Sequence, residues 1–142
     1  MSPIYYEHYY LNGAMLDTYT PPNASDPANY AIPYVAISYN AAGTSATLTI
    51  APSTITPGSY GGSLAGTSTF NDPDHVMNSN NSTITINGLT PGMIYTMRIR
   101  AYSGSNQTGT YGAYYYDKVI PPKPASVFGS TATSSSTIST LS

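Results

Sequence analysis

Asn71-Asp72-Pro73-Asp74-His75 holds the densest run of chemistry-bearing side chains in the chain. Two carboxylates and an amide this close together could offer oxygens to a hard cation such as Ca²⁺. A calcium-loop pattern is missing, with no glycine at its sixth position and no glutamate at its twelfth. Asn, Asp and Pro are also the residues that build ordinary turns, through Asx hydrogen bonds and a fixed proline φ. A turn is therefore the first expectation here, with Asp72 and Asp74 kept as secondary metal candidates. The same two carboxylates could serve a glycosidase, but no pattern places an aromatic-lined cleft around them. Nucleophilic catalysis finds little material. The histidines are His8 and His75, no Gly-x-Ser-x-Gly elbow occurs, and cysteine is absent. Without thiolates, zinc-thiolate and iron-sulfur sites are excluded along with a cysteine nucleophile. The expectation is a non-enzymatic protein with no catalytic residue and no cofactor.

The strongest chemical bias lies in the tyrosines. There are 15 of them against 2 phenylalanines and no tryptophan, in a chain of 142 residues of which only 7% are charged. Tyrosine offers a large amphipathic contact area with few rotatable bonds, which suits protein interfaces and sugar stacking alike. Tyr114, Tyr115 and Tyr116 are consecutive. In a strand, one face therefore receives two rings and the other receives one. Tyr5, Tyr6, Tyr9, Tyr10 and Tyr19 crowd the first residues, where a free arm would be poor in aromatics. These eight are the candidate interface residues. With 4 basic residues and a net charge of -2, nucleic-acid binding is excluded for want of a basic patch.

The elements that would position these groups are strands. Residues 1–33 show neither a helical nor an alternating period and read as an extended Tyr/Pro-rich arm. From Tyr34 onward, short period-two segments alternate with Gly, Pro and Asn, the pattern of an all-β sandwich or barrel. Strands are predicted over Tyr34 to Tyr39, over Ala46 to Ala51 with Ala46, Leu48 and Ile50 inward, and over Ser82 to Ile86 with Ile84 and Ile86 inward. Residues 52–81 are diluted by Gly58, Gly61, Gly62 and Gly66, so Tyr60 to Leu64 and Thr67 to Phe70 are expected as short edge strands. The longest pattern is Met93 to Ser103, placing Tyr95, Met97, Ile99 and Ala101 on one face and Thr96, Arg98, Arg100 and Tyr102 on a wet face. A last strand is predicted over Tyr111 to Ile120. Its inward set is either Ala113, Tyr115 and Val119 or Tyr114, Tyr116 and Ile120, because a one-residue slip exchanges the faces. Pro121, Pro122 and Pro124 end the sheet, and residues 121–142 form a Pro-led, Ser/Thr-rich tail. No helix is expected, and no run of 18 apolar residues could span a membrane.

The segment Ser82 to Ser103, STITINGLTPGMIYTMRIRAYS, resembles the E-to-F region of a fibronectin type III domain, a member of the immunoglobulin-like sandwiches. Leu89, Pro91, Gly92 and Tyr95 match that family's Leu-x-Pro-Gly-x-x-Tyr turn. The resemblance implies a tyrosine corner, in which the Tyr95 ring packs at the sheet edge and its hydroxyl bonds backbone a few residues upstream. It implies Ile84 and Ile86 as the inward residues of strand E, and Met97, Ile99 and Ala101 as those of strand F. Ala46, Leu48 and Ile50 resemble strand B, where Ile50 stands in place of the family's usual tryptophan. The resemblance spans residues 34–120 and carries no chemistry with it.

The fold class expected is all-β, a fibronectin type III-like antiparallel sandwich with extended arms at both ends. The N-terminus lacks a basic segment ahead of an apolar run, so no secretory signal is expected. An extracellular type of module without such a signal fits a virion component, surface-exposed and acting as a capsid-associated, decoration, tail or fibre protein. Its partners would be copies of itself or a major coat protein. The alternatives are an adhesion module for a glycan or receptor, located outside the cell, and an accessory domain of a larger extracellular enzyme. Four glycosylation sequons begin at Asn23, Asn80, Asn81 and Asn106, a number that the abundance of Ser and Thr accounts for by chance.

Overall fold

The computed structural model describes residues 8–11 and 14–125, with side chains from Tyr19 onward. Among the described residues ten strands follow one another: β1 (His8–Leu11), β2 (Ala14–Thr18), β3 (Val35–Tyr39), β4 (Ser45–Ile50), β5 (Ser59–Ala65), β6 (His75–Val76), β7 (Thr83–Asn87), β8 (Tyr95–Gly104), β9 (Thr108–Tyr111) and β10 (Tyr115–Val119). They form two antiparallel sheets of a β-sandwich, plus the separate β1–β2 hairpin. One sheet runs β3-β4-β7. The other runs β10-β8-β5-β6, with β9 also pairing β8.

The alternation of apolar residues builds the core between the sheets. Leu48, Ile50, Ile84 and Ile86 come from the first sheet, and Tyr60, Leu64, Tyr95, Met97, Ile99 and Val119 from the second. Ile84 stands opposite Leu48 and Ile86 opposite Ala46, so inward residues meet as cross-strand pairs. Leu48, Met97 and Ile99 are fully buried. Full burial of such a side chain stabilises the fold by about 1.5–3 kcal/mol. The inward sets predicted for the strands at 46–51, 82–86 and 93–103 are the ones observed.

Four expectations are corrected. Residues 60–64 were expected at an edge, but β5 lies inside its sheet between β8 and β6. The glycines that weakened the strand pattern are what permits this place. A methyl group on Gly62 would overlap the Arg98 carbonyl oxygen and lie 2.9 Å from Ile99 Cα, so the two backbones can approach only without it. Residues 67–70 form no strand; Thr69 and Asp72 make a single bridge around a tight turn. The expected strand over 111–120 is two strands, interrupted at residues 112–114. At the break, buried Gly112 rests on the Tyr30 carbonyl, where a Cβ would come within 2.7 Å of its oxygen.

That contact belongs to the fourth correction. Residues 27–30 form a 3-10 turn where no helix was expected; it is capped by the Asp26 carboxylate, which accepts from Ala28 N–H. A four-residue turn is too short to leave a helical period in the sequence. It delivers Tyr30 and Ile32 into the core, 2% and 8% exposed, so packing begins before residue 34. At the other end Pro121 is buried, and its carbonyl accepts the Gly92 N–H at 2.8 Å.

The turn into β8 has the geometry that the resemblance implied for it. Gly92 takes φ +80, a left-handed conformation that glycine adopts freely. The Tyr95 ring is 2% exposed, and its hydroxyl accepts the Thr90 N–H at 2.8 Å. Among the described residues, no helix is long and apolar enough to cross a membrane.

Candidate functional site

β8 carries two arginines at alternate positions, so both project from the outer face of the five-stranded sheet while Met97 and Ile99 point inward. They are two of only 4 basic residues in the chain. Aromatic rings from three segments close over them. Arg98 Cζ lies 4.4 Å from the Tyr114 ring centroid and 4.9 Å from that of Phe70. Arg100 Cζ lies 3.9 Å from Tyr111, 4.4 Å from Tyr114 and 5.3 Å from Tyr102. The rings also meet one another, Tyr114 with Tyr116 at 6.2 Å and Phe70 with Tyr116 at 6.0 Å. Stacks of this kind contribute about 0.5–1 kcal/mol each at exposed sites.

Arg100 has its pKa above the ordinary arginine value. Burial alone would lower it, and this is outweighed by its Nε donating to the Tyr102 hydroxyl at 3.0 Å and by coulombic attraction to the Tyr102, Tyr114 and Tyr111 phenols in their ionised form. It stays cationic at any physiological pH. Arg98 is placed differently: its Nε is buried and has no hydrogen-bond partner. Ser63, its direct cross-strand neighbour on β5, also has a buried hydroxyl without a partner.

Beside Arg98 the sheet face is hollow. Gly61 leaves the floor without a side chain, and a groove of about 340 Å³ lies above it, bordered by Ser63, Phe70, Asn78, Arg98, Tyr102 and Gln107. One end of this groove is held firmly. Gln107 N–H donates to Ser59 Oγ at 2.8 Å, and Gln107 Nε2 donates to the Tyr60 carbonyl at 2.9 Å. Asn106 and Gln107, in the three-residue turn between β8 and β9, both take positive φ, 54 and 58. Asn80 fastens this turn from outside, accepting from Asn106 N–H at 2.9 Å and donating to its side-chain oxygen at 3.1 Å. A second groove, about 410 Å³, lies on the far side of the Phe70–Tyr116 pair and is bordered by Thr96, Met97, Asp117 and Lys118.

The three consecutive tyrosines are divided by the ladder. Tyr115 packs against the core, Tyr116 is 61% exposed, and Tyr114 is half-buried over both arginines. Of the two registers left open by the sequence, the one turning Tyr115 and Val119 inward is observed, with Ala113 exposed in the break before β10. In the N-terminal segment, Tyr19 is 57% exposed. Tyr9 and Tyr10 lie on β1 opposite Asp17 and Met15 of β2, and their side chains are outside the described residues, as are Tyr5 and Tyr6 altogether.

Asp72 and Asp74 lie in a turn, which engages the carboxylate of Asp74 and the backbone of Asp72. Asp74 accepts the Gly66 N–H at 2.7 Å, and Asp72 N–H donates to Thr69 Oγ1 at 3.1 Å. His75 meets the edge of the Tyr95 ring at 6.1 Å. Among the described residues, no three His, Cys, Asp or Glu side chains cluster as metal ligands would.

Sequence reasoning singled out neither Arg98, Arg100, Phe70 nor Gln107. A signal for the first two was present in the wet face assigned to 93–103. Compared with known proteins, the chain matches no family model and no curated protein.

Proposed function

We propose that this chain is a non-enzymatic structural module of a virion, a fibronectin type III-like sandwich that docks on a coat protein or on copies of itself. The observation that carries the reading is the outward face of β10 and its flank. Tyr116 and Ile120 are 61% and 47% exposed, and beside Tyr116 a largely apolar groove runs to Phe70. Tyrosine is among the residues enriched where protein interfaces concentrate their binding energy, and this flank presents Tyr116 on a rigid ladder. Few ions would be desolvated in closing such a contact, since charged residues are 7% of the chain. The family reading draws on the buried Tyr95 with its bond from Thr90, and on a three-stranded sheet facing a larger one.

Density-gradient sedimentation of native source material, with peptide quantification across the fractions, tests the reading. The chain is expected to travel with large particles at a fixed ratio to one abundant coat protein. Recovery only at the top of the gradient would overturn the proposal. The paired substitution Tyr116→Ser and Ile120→Ser should release the chain from particles while leaving its melting temperature close to that of the parent.

A further inference from the structure

We propose that the groove over Gly61 is a binding site for a carboxylated saccharide, a site separate from the docking flank and independent of the particle reading. Its volume of about 340 Å³ falls in the range of small-ligand sites, about 300–1,000 Å³. Its breadth depends on Gly61, because a Cβ there would lie 3.0 Å from both Gln107 Cγ and Tyr102 Cε1.

The lining selects the chemistry. Arg98 is the charged residue among those bordering the groove, and no carboxylate borders it among the described residues. An anion is therefore the favoured guest. The Phe70 and Tyr114 rings lie against the Arg98 guanidinium, at 4.9 and 4.4 Å, and its buried Nε lacks a partner. Across the ladder Ser63 is 6% exposed, and its hydroxyl is also without a partner. Buried polar groups are almost always paired, so two orphans in register at one groove call for a ligand that carries oxygens. A carboxylate accepts from Arg98, and a neighbouring hydroxyl can both donate to and accept from Ser63.

The rest of the lining distinguishes a sugar from other anions. Tyr102 and Phe70 offer faces for the C–H side of a ring, and the amides of Asn78 and Gln107 offer donor and acceptor together. Inorganic phosphate would use none of those faces, and one cation is too few for a nucleic-acid backbone. Both orphan atoms are buried, so a guest reaches them only by displacing a lining side chain, and Tyr114, which stacks on Arg98, is the ring assigned to move. Tyr114 sits in the break between β9 and β10, outside both ladders.

The test is a titration of the full chain, by calorimetry and by ligand-observed NMR, with N-acetylneuraminic acid and glucuronic acid. Their methyl esters, glucose and acetate serve as comparisons. The acids should bind saturably and at least about tenfold more tightly than their esters. Arg98→Met should weaken binding by about ten- to a hundredfold, the loss of one hydrogen bond to a charged group, and Ser63→Ala by about three- to tenfold, the loss of a neutral one. Ser63→Ala removes a hydroxyl with no partner, so it should keep the parent melting temperature and remain informative if Arg98→Met unfolds. Tyr116→Ser lies outside the groove and should leave sugar binding unchanged, which separates this site from the docking flank. Equal binding of acid and ester, an affinity unchanged by Ser63→Ala, or no saturable binding of either acid would each overturn the proposal. Acetate binding as tightly as the sugar acids would reduce the site to a simple anion site and overturn the saccharide assignment.

Discussion

Replacing Tyr95 by Phe isolates a single hydrogen bond. The ring is 2% exposed and would stay in place, while the bond its hydroxyl accepts from Thr90 N–H at 2.8 Å would be lost. Leaving a buried donor without a partner costs about 1–3 kcal/mol. Thr90 is itself exposed, so water can reach part of its N–H, and the expected loss is about 1–2 kcal/mol. That is a measurable share of the roughly 5–15 kcal/mol by which domains are stable, and it corresponds to about 4–8 °C in melting temperature. Equilibrium denaturation followed by far-UV circular dichroism reads it directly, as a shift in midpoint at unchanged slope. Tyr95→Ala provides the scale, since losing the ring as well should cost about 3–5 kcal/mol. A Tyr95→Phe protein within about 0.5 kcal/mol of the parent would refute the argument that the turn from Leu89 to Tyr95 is held by this bond.

The remaining predictions concern the sheet and its titration. Gly62→Ala should cost more than about 2 kcal/mol, because its methyl group meets the backbone of β8, whereas Gly88→Ala should cost only about 1 kcal/mol. At Gly88, φ is +75 and the nearest atom to a Cβ is His75 Cε1 at 3.8 Å, so strain acts there without a clash. Denaturation midpoints of the two variants decide this, and equal losses would contradict it. Burial pushes the Tyr60 phenol above its ordinary value of 10.0, so above that pH the unfolded chain releases a proton that the folded chain keeps. Stability from this group is therefore intact below pH 10.0 and falls as pH rises from there toward the folded value, by at most about 1.4 kcal/mol per unit. Tyr60→Phe should flatten that part of the stability profile measured between about pH 9 and 11, and an unchanged profile would exclude Tyr60 as its source.

Strand faces were readable where the alternation was long. In β8 and β7, period two left one arrangement that buries Tyr95, Met97, Ile99, Ile84 and Ile86, and the fold adopts it. The reading failed where glycine had two meanings. Gly61 and Gly62 weaken a strand by propensity, yet they are required where two backbones approach, and propensity carries no knowledge of the neighbour. The 3-10 turn at 27–30 failed to register for a similar reason, since four residues make no periodic signal and Tyr30 owes its burial to contacts with β8 and β9.

The candidate site divides in the same way. The alternating pattern sufficed to place Arg98, Arg100 and Tyr102 on one outward face, because side-chain direction along a strand is a local property. What gathered Phe70, Gln107 and Tyr114 around them was the pairing of β8 with β5, β9 and β10, which brings together residues from distant parts of the chain. The unpartnered Ser63 hydroxyl and Arg98 Nε follow from that assembly as well. Whether a polar atom is satisfied depends on what surrounds it after packing, and only the folded chain decides that.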